Sequence, residues 1–149
     1  MIYSKFLDLS YYDHPPMVGY IIKLFTDIFG INEFAVRFPS VIIFILTSWF
    51  FFLCVKKIFN ERIAFIGVIL LNILPVFSFL GAVVTIPDSP LSLFWMLSFY
   101  LFINIIETKE RKYWYMLGIA VGFAFLSKYT AVMIYPSIIL FLICSKENR

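Results

Sequence analysis

FPSVIIFILTSWFFFLCV, residues 38–55, runs from Arg37 to Lys56 without a single charge. A helix rises about 1.5 Å per residue, so these 18 residues reach nearly across the roughly 30 Å hydrocarbon layer of a bilayer. The pattern recurs outward from this stretch. Arg62 and Asp88 bracket 25 uncharged residues, Asp88 and Glu107 bracket 18, Lys112 and Lys128 bracket 15, and Lys128 and Lys146 bracket 17. This spacing predicts an all-α integral membrane protein with five transmembrane helices, over 38–56, 63–84, 89–106, 113–127 and 130–145. The fourth is short. It either tilts little or shares the turn around Lys128 with the fifth as a tight hairpin.

The composition leaves little else. Of 149 residues, 62% are hydrophobic, 21% aromatic and 14% charged, with a mean hydropathy of +0.96. An ordinary soluble domain has about 45–50% apolar and about 25% charged residues. The 12 Lys+Arg and 9 Asp+Glu cannot clothe a soluble domain of this length. A soluble enzyme, a nucleic-acid-binding module, a disulfide-stapled secreted domain and a disordered linker are excluded. Cys54 and Cys144 lie inside apolar runs as small hydrophobes, with no metal spacing and no disulfide framework.

Lys and Arg in the short connections set the orientation. Lys56, Lys57, Arg62, Lys109, Arg111, Lys112, Lys146 and Arg149 fall on one side, and Lys5, Lys23, Arg37 and Lys128 on the other. The richer side is expected in the cytoplasm of a multi-pass protein of the plasma (inner) membrane. The N-terminal segment, the Thr85–Pro90 loop and Lys128 then share the extracytoplasmic side. Between Met17 and Gly30 the polar or small positions Gly19, Lys23, Thr26, Asp27 and Gly30 form a narrow stripe. Pro15 and Pro16 suit the start of a helix there and Gly30 its stop. So short a helix with a charged stripe is expected to lie in the membrane interface. The chain is thus one membrane domain, 1–149, with an extracytoplasmic segment and interfacial helix over 1–37 and spans over 38–149. Asn72 and Pro75 inside the second span read as a proline kink rather than a cavity lining, and Asn104 reads as equally plain.

Charge near hydrocarbon is expensive and needs a reason. The extracytoplasmic side gathers Tyr11-Tyr12-Asp13-His14-Pro15-Pro16, Arg37, Thr85-Ile-Pro87-Asp88-Ser89-Pro90 and Ser127-Lys128-Tyr129. His14, Arg37 and Lys128 could hold an anionic phosphate beside a proton acceptor, Asp13 or Asp88. Each residue also has a plain structural reading. Asp13 and His14 could make a turn, Asp88 could cap the third span, Lys128 could snorkel to headgroups, and Arg37 could anchor the first span. Their convergence on one side favours the site.

Four stretches in series carry a resemblance: Leu7–Met17 with its Tyr-Tyr-Asp-His-Pro-Pro block; Asn32-Glu-Phe-Ala-Val-Arg37-Phe-Pro-Ser40; Thr85-Ile-Pro-Asp88-Ser-Pro90 with Phe94-Trp95; and Gly122–Ala131 around Ser127-Lys128-Tyr129. Together they resemble the polyprenyl-phosphate-sugar-dependent glycosyltransferases, which include the dolichyl-phosphate-mannose–protein mannosyltransferases and the lipid A aminoarabinose transferases. The resemblance implies a GT-C-like (C-type glycosyltransferase) membrane domain. Such an enzyme passes a sugar from a polyprenyl-phosphate carrier to a lipid, glycan or protein acceptor on the extracytoplasmic face. It implies catalytic roles for Asp13 and Asp88 and substrate contacts for Tyr12, His14, Arg37 and Lys128. Membrane lipid is a partner and nucleic acid is not. No cofactor is certain, and a divalent metal ion is the one the position of Asp13 admits.

One departure from the family pattern stands out. There a first spanning helix ends in an extracytoplasmic Asp-Glu pair, ahead of the Pro-Pro block, that supplies the principal catalytic carboxylate. The chain begins at Met1 beyond that pair, and the family's later spans and C-terminal domain are missing as well. The expectation is a truncated membrane domain with an incomplete centre, inactive alone. The rival from another class is a non-catalytic membrane subunit that binds the lipid carrier or a partner protein. A small transporter would need charged residues near mid-span and paired repeats, and neither is evident.

Overall fold

Pro16 at φ −79° stands ahead of the first helix, α1 (Met17–Phe29), and Gly30 ends it at φ 79°, a left-handed turn that a side chain would strain. In this computed structural model, residues 15–75, 77 and 84–144 are described. All regular structure among them is helical: α1, α2 (Glu33–Ile58), α3 (Glu61–Ile73), α4 (Asp88–Thr108), α5 (Arg111–Ser127), a 3₁₀ turn (Tyr129–Met133) and α6 (Ile134–Cys144).

Local chemistry fixes the helix ends. Asn32 Oδ1 accepts from Ala35 N at 2.7 Å, and Asn60 Oδ1 from Ile63 N at 2.9 Å, so each asparagine satisfies an orphan amide at a helix start. The Asn32 cap starts α2 at Glu33, five residues before the expected span at 38. The opposite happens to the second span. Pro75 disfavours helical backbone at the preceding residue, Leu74 takes ψ 117°, and α3 ends at Ile73. The expected span over 63–84 is therefore interrupted where the sequence predicts a kink, and residues 76 and 78–83 lie outside the described set. Asn72 Nδ2 donates to Val68 O at 2.8 Å, one turn back in its own helix. It does not reach the Leu71 carbonyl that Pro75 deprives of an amide. Asn104 is buried and its amide donates to Tyr100 O at 2.7 Å. The third and fourth spans match α4 and α5 to within two residues at each end. The fifth begins with the 3₁₀ turn before α6.

The core lies along α4 and α5. Leu117, Ala120, Val121 and Ala124 recur at helical spacing on one face of α5 and bury against Leu101, Phe102 and Ile105 of α4. Ala131 and Ile134 close one flank of this cluster. On α1, Met17, Gly19 and Ile22 turn inward, and α1 packs on α2 and α5. The expected polar stripe is split: Gly19 is buried, while Lys23 and Asp27 form an ion pair at 2.6 Å on the outer side.

Two contacts fix how the helices run. Lys57 near the end of α2 pairs with Glu107 near the end of α4. At the opposite end, Thr85 just before α4 donates to Val36 O in the second turn of α2. So α2 and α4 run parallel and in direct contact, with α3 packed against α2 and α5 against α4. This places Arg37, Asp88 and Lys128 at one end and Lys56, Lys57, Arg62, Lys109, Arg111 and Lys112 at the other. Helices α2 and α4 are long and apolar enough to cross a membrane, and only 28% and 44% of their most apolar windows are buried within the chain. Ile45, Trp49, Phe65, Ile119 and Leu140 stay exposed along the outer faces. Such an apolar exterior suits lipid and would aggregate in water.

These ends predict labelling in pairs. In a background lacking Cys54 and Cys144, single cysteines at exposed Asn32 and Tyr129 should behave alike towards an impermeant thiol reagent, and so should cysteines at Asn60 and Lys109. From outside intact cells the first pair is expected to react and the second to stay silent. Reaction of Asn32→Cys together with Asn60→Cys would contradict the helix directions.

Candidate functional site

The sequence Thr85-Ile-Pro-Asp-Ser-Pro90 builds the polar corner of the fold. Pro87 precedes α4 at φ −56°, Asp88 is the first helical residue, and Pro90 occupies the same turn, where a missing amide costs nothing. The sequence allows Asp88 as the cap of this helix. Instead no side-chain cap bond is made there: Ser89 N donates to Ile86 O and Leu91 N to Pro87 O, and the Asp88 carboxylate stands in the first turn, the positive end of the helix dipole and a favourable place for negative charge. Ser89 and Pro90 are buried, which turns Asp88 outward, its side chain 52% exposed.

A part-buried hydroxyl chain holds this loop to α2. Thr85 Oγ1 donates to Val36 O at 2.5 Å, which uses its only proton, so Ser40 Oγ is the donor to Thr85 Oγ1, also at 2.5 Å. Ser40 is fully buried. Ser89 Oγ donates back to Val84 O at 3.3 Å, closing the turn from within.

Lys128 reaches the same corner from the other side. Helix α5 ends at buried Ser127, whose hydroxyl donates to Phe123 O, and Lys128 leaves in an extended conformation with its amide still on Ala124 O. Its Nζ lies 2.7 Å from Asp88 Oδ1, a pairing across 40 positions of sequence. Phe94 of α4 and Phe123 of α5 stack at 5.2 Å, packing the two helices that carry the pair. Both side chains keep solvent access, at 52% for Asp88 and 32% for Lys128, so the pair adds under about 1 kcal/mol to stability.

Arg37 behaves differently. Its Nη2 pairs with Glu33 Oε1 of its own helix at 2.7 Å, and both are exposed. It shares the end with Asp88 and Lys128 without joining their contact. Tyr12, Asp13 and His14 lie outside the described residues. Of the six candidates, the structure brings two together. The sequence reading missed Glu33, which the Glu-to-Arg spacing of four signals, and the hydroxyls of Ser40 and Thr85, whose pairing no local pattern announces.

Next to Asp88 a cavity of about 520 Å³ opens between α2, α3 and α4, within the size range of small-ligand sites. Phe44, Phe51, Leu71, Trp95 and Met96 make its walls apolar, and Asp88, Ser89 and Ser92 line it as polar groups. Among the described residues no group of three His, Cys, Asp or Glu could hold a metal ion. The neighbour of Asp88 is an ammonium, which a metal would have to displace.

A family model described as dolichyl-phosphate-mannose-protein mannosyltransferase matches residues 13–149. The chain is 28% identical over 95% of its length to an undecaprenyl phosphate-alpha-4-amino-4-deoxy-L-arabinose arabinosyl transferase of Wigglesworthia glossinidia brevipalpis. It is 31% identical over 93% of its length to the corresponding transferase 2 of Proteus mirabilis. In each case it spans 26% of the relative. No solved structure matches the chain.

The hydroxyl chain generates a stability prediction. Thr85→Val leaves the buried Ser40 hydroxyl without its acceptor and should cost about 1–3 kcal/mol in unfolding measurements. Ser40→Ala added to it should recover part of that loss, because the stranded group is gone. Strict additivity of the two would show that the hydroxyls do not act on each other.

Proposed function

Because the chain belongs to the dolichyl-phosphate-mannose-protein mannosyltransferase family, we propose that it forms part of the membrane domain of a glycosyltransferase using a polyprenyl-phosphate-linked sugar. In this reading the five apolar segments all cross the inner membrane, and the end bearing Asp88 and Lys128 faces the extracytoplasmic side. The acceptor is a lipid, glycan or protein. The observation that carries the reading is the Asp88–Lys128 pair beside an apolar cavity. An amphipathic donor with a phosphate head and a hydrocarbon tail asks for that combination.

The pair also suggests how the chemistry is ordered. In sugar transfer the bond from the anomeric carbon to the phosphate oxygen breaks, and a bond to the acceptor oxygen forms. The electron pair leaves with the phosphate, and the acceptor oxygen gives up a proton. In this reading Lys128 meets the phosphate, where an ammonium stabilises the charge that collects on the departing group. Each contact of Lys128 to phosphate loosens its hold on Asp88, leaving a carboxylate free to take the acceptor proton. Arg37, at the same end, and Tyr12, Asp13 and His14, which precede Pro15 in the chain, complete the proposed substrate contacts. Asp13 shares the catalytic role with Asp88.

Binding to the purified chain tests this order. Undecaprenyl phosphate should bind Lys128→Ala roughly tenfold or more weakly than the parent chain, since a charge-assisted contact contributes about 1.5–3 kcal/mol. Asp88→Asn frees Lys128 and should bind as tightly as the parent or tighter, while removing the proton acceptor from any transfer assay. Equal weakening in both variants would make the pair a structural brace only.

A further inference from the structure

Every carboxylate among the described residues is held by a cation. Asp27, Glu33 and Asp88 hold Lys23, Arg37 and Lys128 on α1 and at the end it joins. Glu61, Glu107 and Glu110 hold Lys56, Lys57 and Lys112 at the opposite end. Arg62, Lys109 and Arg111 are left over, all exposed and all at that opposite end. The Lys57–Glu107 pair brings the α2–α3 and α4–α5 connections that carry them to the same end. Among the described residues the Asp88 end has no such surplus.

Lys109 is a separate sign. It caps α4 at φ 55° and ψ 19°, the left-handed region that glycine occupies freely and lysine does not. A glycine there would close the helix without strain, yet the position carries an ammonium at the tip of the loop. Just beyond it, Trp114 and Tyr115 lie exposed near the start of α5, residue types that favour the depth where headgroups meet hydrocarbon. The partnered lysines are committed elsewhere. Lys57 lies over the Tyr100 ring and Lys112 over the Tyr113 ring. The hydrogen bond and charge of Glu110 raise the Lys112 pKa above the ordinary lysine value.

We propose that Arg62, Lys109 and Arg111 form a binding surface for the phosphates of anionic phospholipids in the adjoining leaflet. Two guanidiniums without a carboxylate partner among the described residues offer forked donors that match a phosphate, and the ammonium adds a movable third contact. A zwitterionic lipid brings its own ammonium to the same place and gains less. The inference rests on membrane embedding and is independent of sugar transfer.

The test places the whole chain in phosphatidylcholine bilayers containing spin-labelled lipid and reads the fraction immobilised at the protein. Spin-labelled phosphatidylglycerol should be enriched over spin-labelled phosphatidylcholine, and added salt should reduce the enrichment. Arg62→Gln, Lys109→Gly and Arg111→Gln should each cut it by up to about fivefold, and the triple variant should abolish it. Lys56→Gln with Lys112→Gln, which removes partnered cations, should keep most of it. Lys109→Gly also relieves the backbone, so its thermal midpoint in phosphatidylcholine should hold or rise while lipid preference falls. This separates lost binding from lost folding. No preference in the parent chain, or an equal loss in the partnered-lysine control, would overturn the proposal.

Discussion

Hydrocarbon offers no partner to a hydrogen-bonding group, and the placement of polar atoms in this chain answers that constraint. Inside the apolar helices the polar side chains fold back on their own backbone. Thr47 donates to Ile43 O, Ser98 to Phe94 O, Asn104 to Tyr100 O and Ser127 to Phe123 O. Ser48 is the exception among the described residues, with a buried hydroxyl that has no partner. Between helices, the Ser40–Thr85–Val36 chain spends hydroxyls on tertiary structure and fastens the corner that carries Asp88. Charges obey the same constraint at the ends, where they meet opposite charges or water.

The corner shows how a site can be built from weak parts. The ion pair between Asp88 and Lys128 is too exposed to hold two helices together. Packing does that instead, through the apolar face of α5 against α4 and the stacked Phe94 and Phe123. The pair is therefore held by its scaffold, and its charges can exchange partners without unfolding it. An ion pair that carried the fold could not be spared for a substrate.

The helical architecture was legible because charge ends apolar runs and proline starts or breaks helices. Arg111–Ser127 and Asp88–Thr108 lie where charge brackets and prolines place them. The early start of α2 is written in Asn32 followed by Glu33, a cap and an acidic first turn that stand outside the uncharged run. The proline marked an interruption inside the 25 uncharged residues, and backbone sterics at Leu74 end the helix at Ile73, with helical backbone again at Pro75 and Phe77. The meeting of Asp88 with Lys128 was legible only as a shared side, since the parity of crossings sets sides and cannot set distances. Arg37 fell outside that meeting because Glu33, one turn away in its own helix, holds its guanidinium. Tyr12, Asp13 and His14 rest on their sequence pattern.

The uneven pairing of charges makes the bundle an electrical object as well as a chemical one. With three unpaired cations at one end and none at the other among the described residues, its long axis carries a permanent polarity. An energised membrane does work on such an axis. Moving one elementary charge through 100 mV takes about 2.3 kcal/mol, so these three charges alone separate the two opposed insertions by about 7 kcal/mol at that potential. For a bundle that spans such a membrane, an inside-negative voltage favours the insertion that turns Arg62, Lys109 and Arg111 inward, and the bias scales with the voltage.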